Sequence, residues 1–130
     1  MLISSTGISL GVFGLSRSTA SGTITLTCTG AGIGAIPYTV ALSTGGSGTY
    51  SLRRMSSGPN TLSYNLYADA ALTQIWGDGT GGSIRVSGSL NLQAGRPGAS
   101  VTHTVYGQVP VQPLPAPGIY ADAITMTATF

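Results

Sequence analysis

Thr23-Ile24-Thr25-Leu26-Thr27-Cys28-Thr29 alternates strictly between apolar and hydroxylated side chains. Ile24, Leu26 and Cys28 fall on one face and the threonines on the other, which is the period-two pattern of a half-buried β-strand. Threonine is β-branched and suits an exposed pleated surface. The stretch therefore predicts a strand with one face in a hydrophobic core.

The same alternation recurs along the chain, between turns rich in glycine. Tyr38, Val40 and Leu42 share one face of residues 38–43. Further strands are predicted at residues 8–13, 49–55, 62–67, 83–90, 100–109 and 120–130. Short strands at this spacing predict an all-β fold, an antiparallel sandwich or barrel.

Two connections stand out between the predicted strands. Residues 67–76 have the best helix propensity, and we expect one short turn there, capped by Asp69. Residues 110–117 contain four of the seven prolines and predict an extended surface connection.

Composition excludes several classes of protein. The 130 residues predict a single domain, 1–130, and a hydrophobic content of 42% argues against a disordered chain. The charged residues are five Arg and three Asp, and only Arg53 and Arg54 are adjacent, whereas nucleic-acid binding requires basic clusters. We expect no nucleic-acid partner. A surface with so few charges is poorly soluble in a free protein but suits a protein that resides in an assembly.

Neither a membrane span nor an export signal is predicted. No stretch approaches the ~18 consecutive apolar residues of a transmembrane helix. Residues 1–15 lack the basic region and the continuous apolar core of a secretory signal. We therefore expect either a cytosolic protein or a chain that lacks its natural N-terminus.

Residues that carry catalysis are scarce. His103 is the only histidine and lies on the same face as Val101 and Val105, so we predict a hydrogen-bonded core or rim residue and not a base. A hydrolase would need one of the three aspartates to share a pocket with it. Cys28 is predicted to be an inert, buried small hydrophobe, and the alternative is half of a disulfide. No enzyme activity, metal site or cofactor is predicted.

Trp76-Gly77-Asp78-Gly79 superficially resembles a phosphate-binding loop. That motif needs a lysine and a following helix, and the chain has no lysine. We predict a tight loop in which Asp78 bonds to the neighbouring backbone while Gly77 and Gly79 adopt unusual dihedral angles.

The last predicted strand runs to the end of the chain. One face carries the apolar side chains of Ile124, Met126, Ala128 and Phe130, and the other carries threonines. Natural edge strands are protected by Lys, Pro or bulges, and this one has none. The strand is either paired on both sides or forms an edge that a second chain fills by strand addition.

An ordered series of motifs runs through nearly the whole chain. They are Phe13-Gly14, Thr25-Leu-Thr-Cys28, Arg54-Met55, Leu62-Ser-Tyr-Asn-Leu-Tyr-Ala-Asp69, Trp76-Gly-Asp-Gly-Thr-Gly81, Val105-Tyr-Gly-Gln-Val-Pro110 and Gly118-Ile-Tyr-Ala-Asp122. In this order they resemble the spore coat protein U domain family, which includes subunits of archaic chaperone–usher pili of Gram-negative bacteria.

The resemblance implies an immunoglobulin-like sandwich that lacks its final strand, with a groove beside the C-terminal strand. It implies that Ile124, Met126, Ala128 and Phe130 border this groove and that Ile8, Leu10 and Val12 are candidates for its other wall. The implied partners are a periplasmic chaperone, an usher and neighbouring pilus subunits. The implied location is the periplasm in transit and then the cell surface, where the fibre supports adhesion and biofilm formation.

The chain departs from the family pattern near its start. The family usually pairs the cysteine matching Cys28 with one at the beginning of its first strand, and that partner is absent here. No N-terminal donor segment precedes the first strand, so we expect either a truncated chain or a misplaced start. As given, the chain is expected to accept a strand but not to supply one. The alternatives are a secreted carbohydrate- or surface-binding sandwich that uses Tyr64, Tyr67 and Trp76, and a viral or spore-coat structural sandwich.

Overall fold

The computed structural model of the chain describes residues 2–5, 18–29, 32–96, 98–113 and 115–130. Eight strands run through these ranges, with a 3-10 turn at Gly45–Ser47. In chain order they are β1 Leu2–Ser5, β2 Ser18–Thr29, β3 Gly34–Leu42, β4 Arg53–Ser57, β5 Asn60–Tyr67, β6 Val86–Leu92, β7 Gly98–Val109 and β8 Met126–Thr129. No helix in the described ranges is long and apolar enough to cross a membrane.

The strands form two sheets that enclose one core. The larger sheet has the order β1-β2-β7-β5-β4 and the smaller sheet the order β6-β3-β8. Every strand pair is antiparallel, and β2 pairs with β7 along its whole length, from Ser18↔Val109 to Thr29↔Gly98. The prediction of an all-β antiparallel sandwich is confirmed, and the barrel alternative is wrong for the described part of the chain.

Alternation decides which side chains enter the core. Ile24, Leu26 and Cys28 of β2 are buried, and the same is true of Tyr38, Val40 and Leu42 of β3. Among the described residues, the other buried apolar side chains are those of Leu62, Tyr64, Leu66, Trp76, Leu90, Val105 and Val109. The indole of Trp76 is completely buried, and its Nε1 donates to the carbonyl oxygen of Val40 at 2.9 Å.

The structure confirms the predicted turn within residues 67–76. Asp69 caps a turn by accepting hydrogen bonds from the backbone N–H groups of Thr73 and Gln74. The proline-rich segment carries no strand in its described residues, and Gln112 fixes it to β5 by bonding both the N–H and the C=O of Ser63, at 3.0 and 2.8 Å. The Gln112 amide thus acts as a substitute for a neighbouring strand at that position.

Some strand limits differ from the prediction. β1 was not predicted at all, and the C-terminal strand begins at Met126 instead of residue 120. Residues 120–125 are not part of β8 because Ala121 forms an isolated bridge with Ser56 of β4. The chain therefore passes from the edge of the larger sheet to the smaller sheet immediately before β8.

Candidate functional site

β8 forms one edge of the smaller sheet. Its partner is β3, in the register Leu42↔Met126 to Thr39↔Thr129. Among the described residues no strand pairs with its other side. The sequence left open whether this strand is paired on both sides or lies at an edge, and in the described structure it lies at an edge.

The hydrogen-bond pattern shows which backbone groups of β8 point away from β3. Ser43 N–H donates to Thr125 C=O at 2.9 Å, so these two residues form a hydrogen-bonded pair. Hydrogen-bonded pairs alternate in an antiparallel ladder, so Thr127 and Thr129 also bond to β3. Met126 and Ala128 direct their N–H and C=O groups to the open side. We call these outward backbone groups the β8 edge.

The inward side chains next to the β8 edge are incompletely covered. Ile124, Met126 and Ala128 contact the core but are only half-buried, and Phe130 is 46% exposed. By contrast Val40, which lies opposite Ala128 on β3, is fully buried. Apolar surface that touches the core and remains in contact with water is surface that a further strand would remove from water.

A row of aromatic rings connects the end of β8 to the core. The ring of Phe130 lies 6.3 Å from that of Tyr38, and Tyr38 lies 5.7 Å from His103, which in turn lies 6.2 Å from Trp76. Tyr38 Oη and His103 Nε2 are hydrogen-bonded at 2.5 Å. Burial lowers the pKa of His103 and raises that of Tyr38, because both rings lie between the sheets. The prediction of a hydrogen-bonded histidine is confirmed.

Asp122 holds the segment that leads into β8. Its Oδ2 accepts a hydrogen bond from Tyr64 Oη at 2.6 Å, and its Oδ1 accepts from Gly46 N–H at 2.9 Å and Ala123 N–H at 3.0 Å. Burial, and then the hydrogen bond to Asp122, raise the pKa of Tyr64. A side chain at Gly45 would collide with the carboxylate. The approach to β8 is therefore fixed to β5 and to the 3-10 turn.

Arg53 is a buried cation that sequence reasoning missed. Its side chain is completely buried, its Nε and Nη2 donate to Ser43 C=O at 3.1 and 2.7 Å, and Nη2 also donates to Trp76 C=O at 2.7 Å. Nη1 donates to Asn65 Oδ1 at 2.9 Å. Burial lowers the pKa of the guanidinium. Arg53 shares its strand face with Met55, and this parity was the available signal that it points inward.

The glycine-rich loop at Trp76–Gly79 agrees in part with the predicted tight loop. Asp78 Oδ1 accepts a hydrogen bond from Thr80 N–H at 2.9 Å, and Gly79 has φ +90°. Gly77 does not have positive φ; it is needed because a Cβ there would collide with Ser83 Oγ and with Tyr50. No unusual dihedral is required of Gly77.

Among the described residues, His103 and the three aspartates do not come together as a catalytic group. Asp122 bonds to Tyr64, whereas Asp69 and Asp78 cap exposed loops, and the described residues contain no group of three His, Cys, Asp or Glu side chains that could hold a metal. Cys28 is free and buried, and it is one of the residues that line an open cleft of about 480 Å³ between the ends of β2, β6 and β7.

Two further predictions concerned exposed aromatic residues and the second wall of the groove. Tyr64 and Trp76 are buried, so the aromatic surface of the carbohydrate-binding alternative is not formed by them. Ile8, Leu10 and Val12, predicted to form the second wall of a groove, lie outside the described residues, as does Phe13-Gly14.

Comparison with known protein families shows where this chain belongs. The family model described as Spore Coat Protein U domain matches residues 3–127 of the chain. No curated protein matches the chain. The matched range begins in β1 and ends inside β8, so it includes the strands and the approach to the β8 edge.

Proposed function

Because this chain belongs to the Spore Coat Protein U domain family, we propose that it is a structural, non-enzymatic subunit of a secreted pilus of the chaperone–usher type. The β8 edge accepts a strand from another chain, and Ile124, Met126, Ala128 and Phe130 line the acceptor groove. A periplasmic chaperone occupies the groove first, and a neighbouring subunit replaces it during assembly at an usher. The finished fibre lies at the cell surface and supports adhesion and biofilm formation.

The half-burial of Met126 and Ala128 carries the proposal. Both residues turn their side chains to the core and their backbone N–H and C=O groups to the open side. A strand laid along β8 satisfies these backbone groups and covers the side chains in the same step. The burial of apolar area stabilises such a pairing by about 25 cal/mol per Å².

Peptide complementation tests this proposal. A peptide from the N-terminal extension of a homologous family subunit is added to the purified chain, and thermal unfolding is followed by circular dichroism. Binding to the native state only should stabilise the chain by about 2.7 kcal/mol at a peptide concentration of 100 times Kd. A melting temperature that does not move with peptide concentration would count against strand addition.

Backbone chemistry makes the test specific. Two versions of the peptide carry N-methyl groups at alternate residues, and only the version whose methyl groups face β8 should lose binding. On the chain itself, Ala128→Pro removes an N–H of the β8 edge without removing a hydrogen bond to β3, and it should abolish the peptide response. Thr127→Ala, on the exposed face of the same strand, is the control and should respond like the original chain.

A further inference from the structure

β6 is a second open edge, on the opposite side of the smaller sheet. Among the described residues it pairs with β3 only, over the continuous register Gly34↔Leu92 to Val40↔Val86. Its seven residues, Val-Ser-Gly-Ser-Leu-Asn-Leu, include no charge and no proline, and the register has no bulge. These are the devices by which natural proteins protect edge strands, so β6 is an unprotected edge.

A proline on β3 identifies the backbone groups that β6 leaves open. Pro37 lies opposite Ser89 and has no N–H to donate, so this pair is not a hydrogen-bonded one. By alternation Gly88 and Leu90 bond to β3, whereas Ser87, Ser89 and Asn91 direct their N–H and C=O groups outward. The side chains of these three residues are exposed, small and uncharged. Next to Asn91 the structure opens into the cleft of about 480 Å³.

The edge is complementary to itself. In an antiparallel pairing centred on Ser89, Ser87 lies opposite Asn91 of the second copy, and all outward groups form hydrogen-bonded pairs. Gly88, which has no side chain, then lies opposite Leu90 of the second copy on the inward face. Two copies also meet with little repulsion, because the chain has a net charge of only +2 and β6 has no charge.

We propose that β6 is a self-association edge at which two copies of this chain pair antiparallel about Ser89 and join their three-stranded sheets into one continuous sheet. This pairing does not use the β8 edge and does not depend on the proposed pilus function. Two strands of this length bury less than the ~1,200 Å² that stable complexes need, so the contact is weak between single chains. It becomes strong where many copies are arrayed along a polymer, because each contact then raises the effective concentration of the next.

Position-specific disulfide trapping tests the register. Single cysteines are placed in the full chain with Cys28→Ala as background, and covalent dimers are followed under mild oxidation. In Ser89→Cys the two residues lie about 5.5 Å apart between Cα atoms, within the range of a disulfide. In Ser87→Cys the two copies of the residue lie roughly 13 Å apart along the strands, beyond that range.

We expect Ser89→Cys to form dimers about tenfold faster than Ser87→Cys, and the double variant Ser87→Cys/Asn91→Cys to regain the fast rate. Equal rates for the two single variants would overturn the register. Sedimentation velocity of Ser89→Lys then tests the edge itself, since two ammonium groups would meet at the centre of the pairing. Its dimer fraction should fall several-fold, and that of Thr127→Lys on β8 should not. The opposite result would place the association at β8 and refute the proposal.

Discussion

Replacing Arg53 by methionine should destabilise the chain more than any other single change of charge. The guanidinium is completely buried and bonds the carbonyl oxygens of Ser43 and Trp76 and the side-chain oxygen of Asn65. Methionine has a similar length and fills much of the space, but it has no donor, so the two carbonyl groups lose their partner. Each unpaired buried acceptor costs about 1–3 kcal/mol, although removal of a buried charge returns part of this.

We therefore expect the free energy of unfolding to fall by about 2–5 kcal/mol. For a chain of this size that corresponds to a fall in the melting temperature of roughly 8–20 °C. The measurement is chemical and thermal unfolding followed by circular dichroism. Arg53→Lys keeps the charge but not the planar guanidinium group, and its free energy of unfolding should fall by at least half as much as that of Arg53→Met.

Arg54→Met is the matched control. It removes the same charge from the next residue, which is exposed, and its effect should stay within about 0.5 kcal/mol. A loss below about 1 kcal/mol in Arg53→Met would refute the reasoning, because the carbonyl groups would then have found water or other partners. Equal losses in both variants would show that net charge, and not the buried hydrogen bonds, sets the stability.

Further predictions concern the aromatic row and the core. Burial lowers the pKa of His103 from 6.5, so the unfolded chain binds the proton more tightly than the folded chain does. The contribution of His103 to the free energy of unfolding should be complete above about pH 6.5 and should be lost as the pH drops through the folded-state pKa. His103→Gln should flatten this pH dependence, which urea titrations at several pH values measure. Gly88→Ala places a Cβ 2.5 Å from the hydroxyl of Tyr38 and should cost about 1–3 kcal/mol in the same unfolding assay, whereas Ser89→Ala, next to it and exposed, should cost little. Trp76→Ala should cost about 3–5 kcal/mol, and the intrinsic fluorescence of Trp76 should resist quenching by acrylamide; an emission maximum typical of exposed indole would contradict its burial.

Alternation in the sequence was sufficient to assign the faces of the strands. The inward residues of β2 and β3 are those that the period of two selects, because a one-residue slip would have turned the threonines of β2 into the core. The same rule assigned Ile124, Met126 and Ala128 to the inward face of the last strand. Local signals also located the turn at Asp69, since a carboxylate followed by free N–H groups forms a cap without help from distant residues.

Features that depend on distant partners could not be obtained in this way. β1 is short, and its pairing with β2 depends on residues 19 to 25 positions away in sequence. The position of Ala121 is set by Ser56, which removed residues 120–125 from the predicted strand. Arg53 was considered only as part of an adjacent pair of charges, because nothing local indicates that carbonyl groups of Ser43 and Trp76 converge on it.

The two open edges of the smaller sheet differ in how much they need a partner. Beside β6 the inward Leu90 is already buried, whereas Val86 and Leu92 are half-buried, so a second strand there adds backbone hydrogen bonds and some apolar burial but covers no exposed aromatic ring. Beside β8 the inward residues are half-covered, and Phe130 alone exposes roughly 90 Å², or about 2 kcal/mol of unrealised burial. Hydrogen bonds exchanged with water contribute little net free energy, whereas buried apolar area contributes in proportion to its size. Occupancy of the β8 edge should therefore be strong and linked to folding, and occupancy of the β6 edge should be weak and reversible.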